Sequence, residues 1–194
     1  MNFPSLSDKA GVRDALLLNK VAGGLLASYH QQILRGASAL SVAERELIAA
    51  YVSALNNCTY CCGTHTATAR HFGVPEELVE ELVADEKLTS APEKLRPMLA
   101  FARELTLRHG SITRAYADAV YAAGWSEDAL HDLILVASMF NFMNRFVHGH
   151  GISADDALMK ERGRHLFEHG YAGLVESAEA EKNGGQVLQA SEPA

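Results

Sequence analysis

Glu46-Leu-Ile-Ala-Ala-Tyr-Val-Ser-Ala-Leu-Asn-Asn-Cys58-Thr-Tyr-Cys61-Cys62-Gly-Thr-His65 is the stretch that decides how this sequence is interpreted. It holds all three cysteines of the chain, with a histidine four positions after Cys61 and an acid twelve positions before Cys58. Because each helical residue turns by about 100°, the thiols and the imidazole share one face about 100° wide. The stretch therefore predicts a helix on which sulfur and imidazole groups converge.

Glu46 lies off this face if one unbroken helix spans the stretch. A break at Asn56-Asn57 would turn its carboxylate inward, and Asn57 would then be the N-cap of the cysteine helix. The neighbouring Glu44 and Arg45 are expected at the surface. The sequence thus predicts two helices that meet at the asparagine pair.

Thiols at the start of a helix, beside an imidazole and a carboxylate, are suited to redox chemistry. The positive end of the helix dipole and a neighbouring imidazole both raise the thiolate fraction, and the thiolate is the nucleophile. A carboxylate can orient the imidazole directly or through water. Cys61 is expected to be the more acidic thiol, because it lies one turn before His65. A second thiol one turn away can condense with an oxidised first thiol.

Two other interpretations of the cysteines remain open. Cys-x2-Cys-x3-His offers soft ligands for Zn²⁺, but a structural zinc site needs four ligands and the chain has no second Cys-x-x-Cys. The thiols could also be inert core residues. We predict no metal site, and we interpret His148 and His150 as part of a helix end.

The spacing Glu-x11-Cys-x2-Cys-x3-His resembles the signature of the alkylhydroperoxidase D family, which belongs to the carboxymuconolactone decarboxylase-like superfamily. Three further segments are similar to its peroxidase-related branch, namely residues 45–48, 52–56 and 140–145. The resemblance covers roughly residues 15–165. It implies a compact all-helical fold and a homo-oligomer, either a trimer or a hexamer.

The resemblance also implies roles for the residues of the signature. Cys61 would attack a hydroperoxide and become a sulfenic acid, Cys58 would resolve it as a disulfide, and His65 and Glu46 would relay protons. The better-known members carry a second histidine immediately before the second cysteine, and this chain has Tyr60 there. Tyrosine is a poor base near neutral pH, which points to a simpler relay or a different substrate.

Further residues are candidates for the pocket or for auxiliary roles: Cys62, Ser53, Asn141, Asn144 and Arg145. The last three interrupt an apolar helix, either as paired core groups or as pocket residues that face the cysteines. A disulfide between Cys61 and Cys62 would strain the peptide between them, so we expect Cys62 to be a bystander.

The sequence therefore favours a thiol-dependent peroxidase. The redox-active Cys58–Cys61 pair would act without a bound cofactor and would be restored by an external thiol or dithiol reductant. The substrate would be a small hydroperoxide. The alternatives are a carboxymuconolactone decarboxylase-like enzyme of the same fold, which does not depend on a Cys-x-x-Cys pair, and a non-catalytic module that binds Zn²⁺.

Composition limits the partners and the location. The chain has 194 residues, a net charge of −7 and no concentrated basic patch, which argues against nucleic acid as a partner. Its most apolar stretch, residues 133–140, is too short to span a bilayer, and the N-terminus lacks a signal-peptide pattern. We expect a cytoplasmic protein with a single domain over residues 1–175 and a flexible tail over 176–194.

Apolar residues recur at helical spacing and strand-like alternation is absent, which predicts an all-α fold. The expected helices span about 12–34, where Gly23-Gly24 either kinks the helix or allows close packing, then 42–55, 58–72, a short one after Pro75, 97–110, 113–123, a long one opened by Ser126 that runs through Phe140, and one from Asp155 or Asp156. Sliding the chain by 85 positions superposes Ser41 on Ser126 and Asn56 on Asn141. This offset suggests a duplicated helical unit.

Overall fold

The computed structural model describes residues 2–171. This part of the chain is built of α-helices without any strand, as predicted: α1 Val12–Leu17, α2 Lys20–Arg35, α3 Val42–Leu55, α4 Thr59–His71, α5 Leu78–Ala84, α6 Arg96–Leu107, α7 Arg114–Ala122, α8 Glu127–His150 and α9 Asp156–His169. Short 3-10 turns span Glu93–Leu95 and His109–Ser111. The predicted tail, residues 176–194, lies outside the described residues.

Helix starts follow the capping signals in the sequence. At α3 the Ser41 hydroxyl accepts a hydrogen bond from the Glu44 amide at 3.2 Å, and the Glu44 carboxylate accepts one from the Ser41 amide at 2.7 Å. This reciprocal pair is the predicted capping box. Ser126 caps α8, and Asp155 caps α9 by accepting from the Leu158 amide at 2.8 Å.

The first predicted helix is divided, but not at Gly23-Gly24: of the two alternatives for these glycines, the kink is wrong and close packing is confirmed at Gly23. The division lies between α1 and α2, where the Asn19 side chain accepts from the Ala22 amide at 3.1 Å and caps α2. Gly23 instead permits close packing, since a Cβ atom there would lie 2.2 Å from the Leu16 carbonyl oxygen. Local capping by asparagine thus decides where the helix is interrupted.

Helix α3 lies at the centre of the molecule and contacts α2, α4, α5, α6 and α8. Residues 45–53 of this helix are all buried. The burial of Arg45 contradicts its expected surface position. Its guanidinium donates to the carbonyls of Ile33 at 3.0 Å and Gly36 at 2.9 Å, which are acceptors at the end of α2. Arg45 therefore fixes α2 against α3.

The duplication stays a prediction. Ser41 and Ser126 are both N-caps, and the Asn56 side chain donates to Asn141 Oδ1 at 3.1 Å, so two positions related by the offset of 85 are bonded. However, α8 is one continuous helix, whereas α3 and α4 are separated by a break. The two segments pack against each other.

Candidate active site

The break between α3 and α4 places the cysteines. Helix α3 ends at Leu55, and Asn57 adopts a left-handed conformation with φ of 56°, a region that asparagine tolerates better than most residues. The predicted break is therefore confirmed. The predicted N-cap is wrong, because Cys58 rather than Asn57 occupies that position.

Cys58 and Cys61 are both buried, with exposed fractions of 0% and 3%. The hydrogen bond from Cys61 lowers the pKa of the Cys58 thiol to about 6, and the position of Cys58 at the N-terminus of α4 acts in the same direction. The same bond and burial raise the pKa of Cys61 well above its ordinary value. The expectation that Cys61 is the more acidic thiol is therefore wrong.

Asn144 joins the cysteines to α8 and α3. It is buried, and its side chain hydrogen bonds to both sulfurs and helps to lower their pKa values. Its Nδ2 donates to Ser53 Oγ at 3.0 Å, and its Oδ1 accepts from Asn56 Nδ2 at 2.9 Å. The structure thus brings two of the predicted auxiliary residues, Asn144 and Ser53, to the thiol pair.

Glu46 and His65 form a direct pair. Glu46 is completely buried, and its Oε2 accepts from His65 Nδ1 at 2.7 Å. Burial alone would raise the pKa of Glu46, but the charge of His65 and the hydrogen bonds from His65 and Arg35 outweigh burial and lower it. Glu46 is therefore an ionised carboxylate that fixes the imidazole, with Nε2 as the remaining ring nitrogen.

Two residues of this network were not predicted. Arg35 Nη1 donates to Glu46 Oε1 at 2.6 Å, and the Tyr171 hydroxyl donates to the same oxygen at 3.3 Å. Burial and the charge of Glu46 raise the pKa of Tyr171 well above its ordinary value, so its hydroxyl stays protonated. In the sequence Arg35 looks like an ordinary cation at a helix C-terminus. Tyr171 has no pattern that marks it.

A cavity of about 770 Å³ opens beside the network. Cys61 and His65 line it, whereas Cys58 does not. Apolar side chains form much of its wall, namely Val12, Leu16, Phe140, Met143, Leu158 and Leu166. Exposed charged residues of α1 and α9 also line it, among them Asp14, Glu161 and Arg164. Of the two paired thiols, only Cys61 can therefore meet a molecule bound in this cavity.

Tyr60 is part of the cavity wall. Its hydroxyl accepts from Arg162 Nη1 at 2.8 Å, and the Arg162 guanidinium lies 5.2 Å from the centre of its ring. Burial raises the pKa of Tyr60, so it cannot serve as a base near neutral pH. It holds α9 against α4.

Of the predicted pocket or auxiliary residues, only Tyr60 lines this cavity; Ser53 and Asn144 lie at the thiol pair, and the other three lie elsewhere. Cys62 lines a separate cavity with residues of α5 and α9, its sulfur lies 4.0 Å from Thr66 Oγ1, and burial raises its pKa. Asn141 is half-buried and donates to Thr106 Oγ1 at 3.1 Å. Arg145 is exposed and donates to the Asn141 carbonyl, so the interpretation of Arg145 as a pocket residue is wrong. Its neighbour Asn144 takes the inward position on α8.

The histidines near the end of α8 match the helix-end interpretation. His150 Nδ1 donates to the Phe146 carbonyl at 2.8 Å, and its ring stacks on Phe3 at 4.8 Å. Within residues 2–171 no three His, Cys, Asp or Glu side chains are grouped so as to hold a metal ion. In the same range no helix is both long and apolar enough to cross a membrane.

Comparisons with known proteins agree with the geometry. The model of the carboxymuconolactone decarboxylase family matches residues 22–104, a span that includes Glu46, Cys58, Cys61 and His65. No curated protein matches the chain.

Solved structures of similar fold are known. An uncharacterized peroxidase-related protein from Silicibacter sp. TM1040 is 28% identical, with a TM-score of 0.69, over 74% of this chain and 75% of that chain. An uncharacterized peroxidase-related protein from Ralstonia eutropha JMP134, described as an alkylhydroperoxidase AhpD core, has the same fold at 23% identity, with a TM-score of 0.69, over 77% of this chain and 78% of that chain. The chain is thus similar to the carboxymuconolactone decarboxylase family over residues 22–104, and its fold is that of these peroxidase-related, alkylhydroperoxidase D-like proteins.

Proposed function

We propose that this protein is a thiol-dependent peroxidase that reduces an organic hydroperoxide with Cys61 and Cys58. The observation that carries this proposal is the division of the thiol pair. Cys61 lines the cavity together with His65. The more acidic Cys58 does not line the cavity, and it is joined to Cys61 by a hydrogen bond. One thiol is thus placed to meet a substrate and the other to meet the first thiol once it is oxidised.

In the first step the Cys61 sulfur attacks the terminal oxygen of the hydroperoxide. His65 accepts the Cys61 proton, and the imidazolium is stabilised by the carboxylate of Glu46. The O–O bond breaks with its electron pair on the alkoxide, which takes the proton from His65 and leaves as an alcohol. Cys61 is then a sulfenic acid, and the peroxide has been reduced by two electrons.

In the second step the Cys58 thiolate attacks the sulfur of the Cys61 sulfenic acid. An S–S bond forms between the two cysteines as the S–O bond breaks, and the hydroxide that leaves takes a proton from the solvent, which balances the proton that Cys58 released when it ionised. A pKa of about 6 keeps Cys58 largely ionised near neutral pH, which suits this role. An external thiol or dithiol returns the disulfide to two thiols and closes the cycle.

The size and lining of the cavity support an organic substrate. A volume of about 770 Å³ with several aliphatic and aromatic walls falls in the range of sites for small organic molecules. Hydrogen peroxide would leave most of these apolar walls without contact. We therefore propose that the substrate carries an apolar group on its peroxide.

Titration of free thiols before and after one equivalent of cumene hydroperoxide tests the function. The expected result is the loss of two thiols per chain, with Cys58 joined to Cys61 in the peptide map. Cys61→Ser should abolish this loss, and Cys62→Ser should not alter it. Three thiols that survive the peroxide would overturn the proposal, and metal analysis of the same sample would then test the zinc alternative.

A further inference from the structure

His30 is a second buried imidazole in the wall of the cavity. It lies on α2, outside the segment with the cysteines, and is 5% exposed. Like Cys61 and His65, it lines the cavity of about 770 Å³. Its ring stacks on Tyr171 at 5.6 Å and meets Phe140 edge to face at 6.4 Å. The proposed reaction steps leave this residue unused.

The protonation state of His30 follows from its surroundings. Its Nδ1 lies 2.8 Å from the Leu26 carbonyl oxygen, which can only accept, so Nδ1 carries the hydrogen. Burial, together with the charge of His65, lowers the pKa of His30 to about 4, against the opposing effects of the Leu26 bond and of Glu46. Near neutral pH the ring is therefore uncharged, and Nε2 holds a free electron pair.

Two other polar groups of this region already have partners, whereas the buried Thr64 hydroxyl, which also lines the cavity, has none among residues 2–171. The Tyr171 hydroxyl donates to Glu46, and His65 Nδ1 donates to the same carboxylate. His30 Nε2 is thus a hydrogen-bond acceptor beside apolar Phe140, and only a ligand with a donor group can use it. A hydroperoxide has one such group, the O–H on its terminal oxygen.

We propose that His30 Nε2 accepts the hydrogen bond of the hydroperoxide O–H and so directs the terminal oxygen toward Cys61. This inference rests on the proposed peroxidase function. The two imidazoles then have different tasks. His65, held by a carboxylate, transfers the proton to the leaving alkoxide, whereas His30 orients the substrate without taking its proton. Peroxides whose terminal oxygen carries no hydrogen would lose this contact.

Two substitutions distinguish the effect of the His30 Nε2 acceptor from the effect of the aromatic ring. His30→Phe keeps aromatic contacts with Tyr171 and Phe140 but has no acceptor, and His30→Gln keeps an acceptor without the ring. Each is combined with Cys62→Ser, so that the remaining thiols are those of the pair. His30→Leu repeats the test if phenylalanine is too large to fold.

Two reagents are compared by stopped-flow measurement of Cys61 modification, with mass mapping of the product. One is tert-butyl hydroperoxide, and the other is methyl methanethiosulfonate, which carries neither O–H nor N–H. His30→Phe should slow the reaction with the hydroperoxide about tenfold, as for the loss of one hydrogen bond, and should leave the other rate within about twofold. His30→Gln should react with the hydroperoxide at nearly the wild-type rate, because it keeps an acceptor.

The outcomes distinguish this inference from the function on which it rests. A wild-type protein that does not react with the hydroperoxide overturns both. A reactive wild type with an equally reactive His30→Phe variant overturns the role of His30 alone. Equal slowing of both reagents by His30→Phe also overturns it, because that result indicates a structural effect on Cys61.

Discussion

His65 Nδ1 donates a 2.7 Å hydrogen bond to Glu46 Oε2, although the two residues lie 19 positions apart on different helices. The bond leaves His65 Nε2 as the ring nitrogen available for proton transfer. Arg35 binds the other carboxylate oxygen at 2.6 Å, so the carboxylate is held on both sides. The orientation of the imidazole is thus fixed before any substrate binds, which is a condition for efficient proton transfer.

Glu46→Gln should reduce both activity and stability. The amide cannot stabilise an imidazolium, so the rate of Cys61 oxidation should fall by about 10²- to 10⁴-fold. Because Glu46 is fully buried and paired with Arg35 and His65, its neutralisation also leaves Arg35 without its counter-charge. We expect a loss of about 3 kcal/mol in the free energy of unfolding. Stopped-flow oxidation and urea unfolding at pH 7 measure the two effects.

The matched control for this variant is Glu77→Gln, since Glu77 is exposed. It should match the wild type in both measurements. An unchanged oxidation rate in Glu46→Gln, whatever its stability, would show that the carboxylate has no part in proton transfer.

Tyr171→Phe removes one donor to Glu46 and keeps the ring. Because the pKa of Tyr171 is raised well above its ordinary value, the lost group is a hydroxyl donor and not a phenolate. We expect oxidation to slow by about two- to tenfold and the free energy of unfolding to fall by about 1 kcal/mol. The same assays apply, with Tyr29→Phe on the exposed face of α2 as control. A wild-type rate would mean that Arg35 and His65 alone set the state of Glu46.

Much of this site could be predicted from local sequence. The spacing from Glu46 to His65, the capping box at Ser41 and the break at Asn56-Asn57 act over a few residues, and all three occur in the structure. Each depends on the period of the helix or on side chains that bond to nearby backbone. The all-α fold was predictable for the same reason.

The rest depends on packing between distant segments. Arg35 and His30 reach the site because α2 packs against α3 and α8, and Tyr171 follows α9. The sequence also failed to predict which of the two thiols is the more acidic. The spacing argument considered only His65, whereas the helix start favours Cys58 and Asn144 of α8 contacts both sulfurs. No periodic pattern in α2 or α8 indicates these contacts.

Titration of the reduced protein should show one thiolate with an apparent pKa near 6. Absorbance at 240 nm reports it. The value belongs to the hydrogen-bonded pair, so either Cys58→Ser, which removes the acidic thiol, or Cys61→Ala, which removes the hydrogen-bond donor, should raise the transition above pH 8. Cys62→Ser should leave it unchanged, because this thiol lies in another cavity and burial raises its pKa. If the transition near pH 6 persists in Cys58→Ser, the acidic thiol is Cys61 and not Cys58.

Cys58→Ser and Cys62→Ser should differ in the product of peroxide oxidation. Cys62 opens into a cavity that Cys61 does not line, so Cys58 is the thiol placed to resolve the sulfenic acid. Cys58→Ser should stop at a sulfenic acid, trapped by dimedone, or over-oxidise. Cys62→Ser should form the disulfide and turn over as the wild type does. A peptide map with Cys61 joined to Cys62 in the oxidised wild type would reverse the assignment.

His30 should make the folded protein sensitive to acid. Its pKa is lowered from 6.5 to about 4 on folding, so below pH 6.5 the unfolded chain takes up a proton that the folded protein does not. Stability is therefore lost as pH falls from 6.5 toward 4, and His30 should account for about 2 kcal/mol of the loss between pH 7 and pH 5. The lowered pKa of Cys58 also makes the folded protein lose stability as the pH falls. This contribution is the same in all the proteins compared, because each of them keeps Cys58.

Urea unfolding of the wild type and of His30→Phe at both pH values isolates this contribution. The drop in unfolding free energy from pH 7 to pH 5 should be about 2 kcal/mol smaller in His30→Phe. Glu46 adds little to the difference, because its lowered pKa destabilises the fold only below its unfolded value of 4.5. His131→Gln, on an exposed residue, is the control and should keep the wild-type drop. Equal drops in all three proteins would mean that His30 is protonated as readily in the folded state as in the unfolded chain, and its Nε2 would then no longer be an acceptor at mildly acidic pH.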